Sequence, residues 1–330
     1  MLILTREDIL KVFTMKDAIE ADKKAFILHS EGKAVVPLRI NIDNESRTGQ
    51  LMFMPAYVGG DLNMGGVKIV SCFPANAEKG LPVIPATMPV IDGETGCVTA
   101  ILDGTTLTQI RTAAISGAAI ELLANEDAKI GALFGTGGQA AAQLEALMTA
   151  RALSEVRIFD ACSGRAEAFA AANAKLASKF GVKLLPVQSP KEAVTDADII
   201  TTVTTAREPV FDAADVKPGC HITGVGSYTP AMRELPEELL ARAARIFVDN
   251  REAVLAEAGD FTIPMSRGAF SKERIDGELG ELLLGRVGGR AAHDEITVMK
   301  TVGFATLDVV SAAEIVKKAR AEKAGTEIAF

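Results

Sequence analysis

Met15, Ala18, Ile19, Ala25 and Phe26 recur at the spacing of one helix face and predict a helix that buries one side. Thr5 and Thr14 each stand three residues before an aspartate, Asp8 and Asp17, a variant of the capping box that opens two short helices. After Gly32 the pattern turns to strands: Val35 to Ile42, Gln50 to Ala56, Gly66 to Phe73, Ala86 to Ile91 and Cys97 to Leu102. Asp92-Gly93 and Asp103-Gly104 read as turns, so this region is a mixed, largely antiparallel sheet. An alanine-rich stretch from Thr108 to Ala124 then predicts a helix.

From Lys129 the pattern becomes strand, glycine turn, helix, strand, repeated, as in a parallel sheet with crossover helices. The strands fall at Ile130 to Phe134, Glu155 to Asp160, Lys183 to Val187, Asp198 to Val203, Cys220 to Val225 and Arg245 to Asp249. The apolar run Ile296 to Val310 lies beyond them and is expected to return to the first domain as a closing helix. The fold class is therefore α/β, a Rossmann-type doubly wound parallel sheet plus an α+β domain. The expected division is 1–124 with 303–330 for the substrate-binding and dimerisation domain, and 125–302 for the nucleotide-binding domain.

Composition narrows the partners. The formal net charge of −8 disfavours nucleic acid and anionic membranes, which are gripped through Lys and Arg. No apolar run approaches the ~18 residues of a membrane span, and the N-terminus has no export signal, so the expected setting is cytoplasmic. Cys72, Cys97, Cys162 and Cys220 lie far apart and are expected to be reduced core thiols. His29, His221 and His293 are equally scattered, and no metal site is predicted.

Gly135-Thr136-Gly137-Gly138-Gln139-Ala140 matches G-x-G-x-x-G/A between an apolar strand and a helix, which lifts it above a chance match. Gly135 permits a tight turn, Gly137 lets the backbone approach a pyrophosphate, and Ala140 lets the helix pack close. The helix N-terminus supplies N–H groups and a positive dipole. Asp160 ends the second strand, 22 residues past Gly138 (160 − 138), where a carboxylate accepts from the adenosine ribose. The expected cofactor is NAD or NADP, with NAD favoured by Asp160; Arg165 would instead meet a 2′-phosphate or be an ordinary solvated residue. Thr204 and Gly226, at the carboxyl ends of later strands, are further cofactor candidates or plain loop residues.

Arg111 falls in the opening turn of the expected helix, where a cation opposes the macrodipole, and a broken local rule of this kind marks a site. With Thr112 and the helix N–H groups it would receive a carboxylate; the alternative is a pair with a protein acid. Lys68 stands in Gly65-Gly-Val-Lys-Ile-Val70, a charge inside an apolar strand that needs a partner. An anionic substrate would supply one, and desolvation would bring the lysine towards proton transfer. The alternative is a guard on an edge strand. Arg39, in Val36-Pro-Leu-Arg-Ile40, is a third cation on an expected strand.

These motifs together resemble the ornithine cyclodeaminase/mu-crystallin family, along nearly the whole chain. They are Pro37-x-Arg39, Gly66-Val-Lys68, Asp103-Gly104, Arg111-Thr-Ala-Ala114, Gly135-Thr-Gly-Gly-Gln139, Arg233-Glu-Leu235 and Asp294 through Gly303. The resemblance implies a homodimer whose interface is the first domain completed by the C-terminal segment. It also implies that Arg39, Lys68 and Arg111 hold a substrate carboxylate and that Lys300 to Gly303 lie near the nicotinamide, with Arg111 and Thr112 also counted among cofactor contacts. Members include cyclodeaminases, alanine dehydrogenases and imino-acid reductases. Tyr228 stands where the cyclodeaminases resembled carry an aspartate. A phenol (pKa near 10) offers no anion to a distal ammonium, although it can donate a hydrogen bond to substrate or pack over the cofactor. The implied reaction is NAD(P)H-dependent reduction of Δ1-pyrroline-2-carboxylate or a linear imine to an L-amino acid. Ornithine cyclodeaminase, L-alanine dehydrogenase and a non-catalytic mu-crystallin-like binder are the alternatives.

Overall fold

Both threonine–aspartate pairs close capping boxes in the computed structural model, which describes residues 1–46 and 48–329. Thr5 caps α1 (Arg6–Val12) and Thr14 caps α2 (Met15–Ser30), a contribution of about 1 kcal/mol each. Met15, Ala18, Ile19, Ala25 and Phe26 are buried, as their spacing predicts. The chain divides into two units, Met1–Arg111 with Phe304–Phe330, and Thr112–Gly303.

In the first unit the strands are β1 (Leu2–Leu4), β2 (Ala34–Val35), β3 (Ile40–Asp43), β4 (Gln50–Val58), β5 (Met64–Cys72), β6 (Ala86–Asp92) and β7 (Val98–Asp103). The sheet runs β1, β7, β6, β5, β4, β2, with β3 also on β4; all these pairs are antiparallel except β1 with β7. The three-residue β1 is too short to show alternation, and sequence reading misses it. The single strand expected over Val35 to Ile42 is two, because Pro37 has no N–H for a ladder and restricts Val36. Arg39 therefore lies between strands rather than on one.

The turn expected at Asp103-Gly104 is the start of α3 (Gly104–Leu123), with the Asp103 carboxylate accepting from the N–H of Thr106 at 2.7 Å. Arg111 is thus the eighth residue of a helix that begins earlier than the alanine pattern implied. The argument from the macrodipole, which fades beyond the first turn, does not apply to it.

The second unit holds β8 (Ile130–Phe134), α4 (Ala140–Ala150), β9 (Glu155–Phe159), α5 (Arg165–Phe180), β10 (Lys183–Pro186), β11 (Ile199–Thr202), β12 (His221–Gly224), β13 (Arg245–Val248), β14 (Gly277–Glu278) and β15 (Thr297–Lys300). Its sheet is parallel throughout, in the order β10-β9-β8-β11-β12-β15-β13-β14. The six expected strands are present, and two more join them. The run Ile296 to Val310 is not one helix: β15 inserts between β12 and β13, Gly303 turns at φ 74°, and a helix begins at Ala305. A fully buried parallel strand is a continuous apolar run, which periodicity cannot tell from buried helix.

That C-terminal helix, Ala305–Glu322, belongs to the first unit, where it packs on β4, β5 and β6 and against α1 and α2. Gly66 lets it approach: a Cβ there would lie 2.6 Å from Met88 and 3.4 Å from Val309. Of the four cysteines only Cys220 is buried; Cys72 is half-buried, and Cys97 and Cys162 are exposed, contrary to the expectation of core thiols. Among the described residues no helix is long and apolar enough to cross a membrane.

Candidate functional site

In the first unit, the period of two along β5 puts Gly66, Lys68 and Val70 on the face covered by the C-terminal helix. β5 has β4 on one side and β6 on the other, so Lys68 is interior and not an edge guard. Its ammonium donates to both carboxylate oxygens of Asp308, at 2.9 Å each. Arg111 brings its Nε to 2.8 Å from the same carboxylate. Lys68 is 1% exposed, Arg111 4% and Asp308 0%. The Arg111–Asp308 contact is an ion pair without hydrogen-bond alignment, so the buried Nε and Nη1 of Arg111 both lack an acceptor.

One carboxylate therefore faces two buried cations. Burial, and after it the charge of Arg111, disfavours the Lys68 ammonium; Asp308 works the other way, and the lysine is brought down to about 7. Arg39 adds a smaller push in the same direction as Arg111, so it lies within electrostatic reach of Lys68. Asp22 on α2 is also buried, accepting from Ser311 at 3.3 Å, and burial holds its carboxyl well above the usual range. Two cations on one carboxylate make a setting suited to a small anion, since an unpaired buried charge costs several kcal/mol.

In the second unit the glycine loop follows β8. Gly135 has φ 95°, and a Cβ there would lie 2.7 Å from the carbonyl oxygen of Val203. Nothing stands within 4 Å of where a Cβ would project from Gly137 or Gly138, and α4 begins at Ala140 with no side chain capping it. An uncapped helix N-terminus behind an open glycine loop fits a dinucleotide pyrophosphate. The buried Oε1 of Gln139, at the same helix start, has no partner.

Asp160, at the end of β9, organises this loop. One carboxylate oxygen accepts from the N–H of Thr136 at 3.0 Å and its hydroxyl at 2.5 Å; the other accepts from the N–H of Cys162 at 2.9 Å. Burial opposes its ionisation, but the hydrogen bonds from Thr136 and Cys162 outweigh it and hold the carboxyl below its ordinary value. The oxygen that accepts from Cys162 keeps lone-pair capacity for a ribose hydroxyl, while the one bound twice by Thr136 is filled. Arg165, the first residue of α5, is exposed and adds to the pull on Asp160.

Thr204 and Gly226, past β11 and β12, are joined through Glu234, whose buried carboxylate accepts from the backbone N–H groups of Thr204 (2.6 Å), Gly226 (2.6 Å) and Ser227 (3.1 Å). Lys300, at the end of β15, is fully buried; its ammonium is 3.0 Å from Asp260 and donates to the carbonyl of Gly224 at 3.2 Å. The N–H of Gly303 donates to Asp249 at 2.7 Å. Tyr228 is half-buried and packs against the sheet core of this unit. Thr112 is half-buried, its carbonyl accepting from Gln143 at 3.2 Å.

Lys68 and Arg111 are thus brought together, with Arg39 in electrostatic reach, and the glycine loop meets Asp160. Asp308, Asp22, Glu234 and Asp260 escaped the sequence reading. Asp308 carried the same signal as Lys68, a charge within an apolar run, while Glu234 is the acid of the Arg233-Glu-Leu235 motif.

Residues 1–323 match the ornithine cyclodeaminase/mu-crystallin family. The Δ1-pyrroline-2-carboxylate reductase of Bacillus cereus is 34% identical over 330 residues, with 100% of each chain covered. The structure of Thermococcus litoralis Δ1-pyrroline-2-carboxylate reductase in complex with NADH and L-proline matches with a TM-score of 0.94 at 38% identity, covering 99% of this chain and 100% of that one. An archaeal alanine dehydrogenase dimer with bound NAD matches with a TM-score of 0.90 at 33% identity, covering 100% of this chain and 99% of that one. With its cation pair, its glycine loop and this full-length likeness, the chain belongs to the ornithine cyclodeaminase/mu-crystallin family.

Proposed function

We propose that this protein is an NAD(H)-dependent oxidoreductase that reduces a small imino acid, Δ1-pyrroline-2-carboxylate foremost, to the L-amino acid. The observation that carries the reading is the buried pair Lys68 and Arg111 sharing the single carboxylate of Asp308, with Nη1 of Arg111 left without an acceptor. The names of the B. cereus and T. litoralis relatives support the same reaction. NADH, held by the Gly135–Gln139 loop with Asp160 on its ribose, supplies a hydride to C2 of the imine. Arg111 grips the substrate carboxylate through its fork, aided by the charge of Arg39. Lys68, as the ammonium, donates a proton to the nitrogen as it becomes an amine, and Asp308 holds both cations in place. Tyr228 brings no negative charge of the kind that ornithine cyclisation requires, which favours reduction over cyclodeamination.

The test is NADH oxidation by the purified protein with Δ1-pyrroline-2-carboxylate, and with 2-oxo acids plus ammonia or methylamine. Turnover of the cyclic imine is expected; faster turnover of pyruvate with ammonia would move the substrate to a linear imine, and inactivity on all would overturn the reading. The pH profile is a second check. Lys68 has its folded pKa lowered from 10.5 to about 7, so the proton donor is present below that value and lost above it. The kcat/KM for reduction should be level below pH about 7 and fall about tenfold per unit above it, while amine oxidation, which needs the neutral lysine, rises through the same range. A reduction rate that climbed from pH 7 to 9 would contradict the assignment.

The protein acts as a homodimer through the outer face of the first-unit sheet. Ile40 pairs with Phe53, Ile42 with Leu51 and Ile69 with Phe53, so these side chains share a face with Tyr57, and Ile40, Ile42, Leu51, Tyr57 and Ile69 are all exposed. Apolar patches of this kind mark interaction surfaces. Light scattering should give twice the chain mass, and a monomer at micromolar concentration would refute the interface. The exposed thiols of Cys97 and Cys162 suit a reducing, cytoplasmic setting.

A further inference from the structure

In the second-unit sheet the glycine loop follows β8, and Asp160 directly follows β9 on one side of it. If the pyrophosphate sits on the loop and the adenosine ribose on Asp160, the remaining half of the dinucleotide runs to the other side of β8, over the ends of β11 and β12. The loops at those ends begin at Val203 and Val225, and both are fastened to one side chain.

That side chain is Glu234. Oε1 accepts from Thr204, and Oε2 from Gly226 and Ser227, so three backbone donors from two loops converge on one carboxylate. The loops touch: a Cβ on Gly226 would lie 2.1 Å from the carbonyl oxygen of Thr204, so no side chain fits between them. Glu234 is itself held, its N–H donating to Asp260 at 2.6 Å beside that of Leu235 at 2.8 Å. Asp260 in turn pairs with Lys300, whose ammonium donates to the carbonyl of Gly224, the last residue of β12. The chain of contacts thus runs from the sheet end through Lys300, Asp260 and Glu234 to both loops. Only an acceptor-only group satisfies three converging N–H donors; an amide in its place would turn its own N–H₂ towards at least one of them.

We infer that Glu234 is a positioning residue for the nicotinamide half of the cofactor, acting through the backbone of Thr204, Gly226 and Ser227. The inference rests on the dinucleotide reading above, and it assigns Lys300 and Asp260 to the support of that clamp.

Glu234→Gln tests it by binding rather than turnover, with NADH and ADP-ribose as paired probes titrated by calorimetry. ADP-ribose has the adenosine and pyrophosphate parts but no nicotinamide. NADH should weaken by about tenfold or more, while ADP-ribose stays within about twofold of the unsubstituted protein. Glu234→Asp, which keeps the charge but retracts it by one methylene, should fall between, and it carries the same comparison if the glutamine variant does not fold. Equal weakening of both probes, or NADH affinity unchanged, would overturn the role of Glu234. If the unsubstituted protein bound neither probe, the dinucleotide reading would fall, and this inference with it.

Discussion

Lysine in place of Arg111 is expected to lower kcat/KM for Δ1-pyrroline-2-carboxylate by roughly 10²- to 10³-fold, mostly through KM. The substitution keeps the charge and removes the planar fork, so the carboxylate loses paired hydrogen bonds in a buried setting, a loss of about 2 to 4 kcal/mol. Lys68→Met should cost as much, roughly 10²- to 10⁴-fold, but in kcat, because it removes the proton donor. The two variants separate anchoring from proton transfer. Steady-state kinetics on both would show the split; an Arg111→Lys enzyme with unchanged KM would mean that the guanidinium holds no substrate.

Asp308→Asn should be among the most damaging substitutions for stability. It leaves Lys68 and Arg111 buried without their shared anion, and breaking such a pair from one side costs about 3 to 5 kcal/mol. The melting temperature should fall by roughly 6 °C or more. A carboxylate ligand replaces part of the missing charge, so L-proline should raise the melting temperature of Asp308→Asn more than that of the unsubstituted protein. Differential scanning fluorimetry with and without L-proline measures both effects. An unchanged melting temperature would show that the two cations do not depend on Asp308.

Lys68 was visible in the sequence because a charge inside an apolar strand is conspicuous, and the glycine loop because its spacing sits between strand and helix. Arg111 was found for a reason that does not hold: the helix starts at Gly104, and what sets Arg111 apart is burial beside Asp308. Asp308 was a charge in an apolar run too, but that run reads as one closing helix when it is β15 followed by the C-terminal helix, and nothing local ties Asp308 to Lys68. Its meeting with Lys68, 240 residues away, depends on a strand pairing and a returning helix that no local pattern encodes. Six strands of the parallel sheet were legible from short apolar runs between turns and helices, whereas β1, paired over only two or three residues on each side, depends on neighbours far along the chain. The clamp around Glu234 was equally out of reach, since its partners are backbone groups, which carry no sequence signal.

The most direct measurement is a crystal structure of the protein with NADH and L-proline. The account predicts the proline carboxylate on the guanidinium of Arg111, using Nη1, with the Lys68 ammonium within hydrogen-bonding distance of the ligand and still bound to Asp308. Proline bound elsewhere, with Arg111 and Lys68 satisfied by protein groups alone, would contradict it.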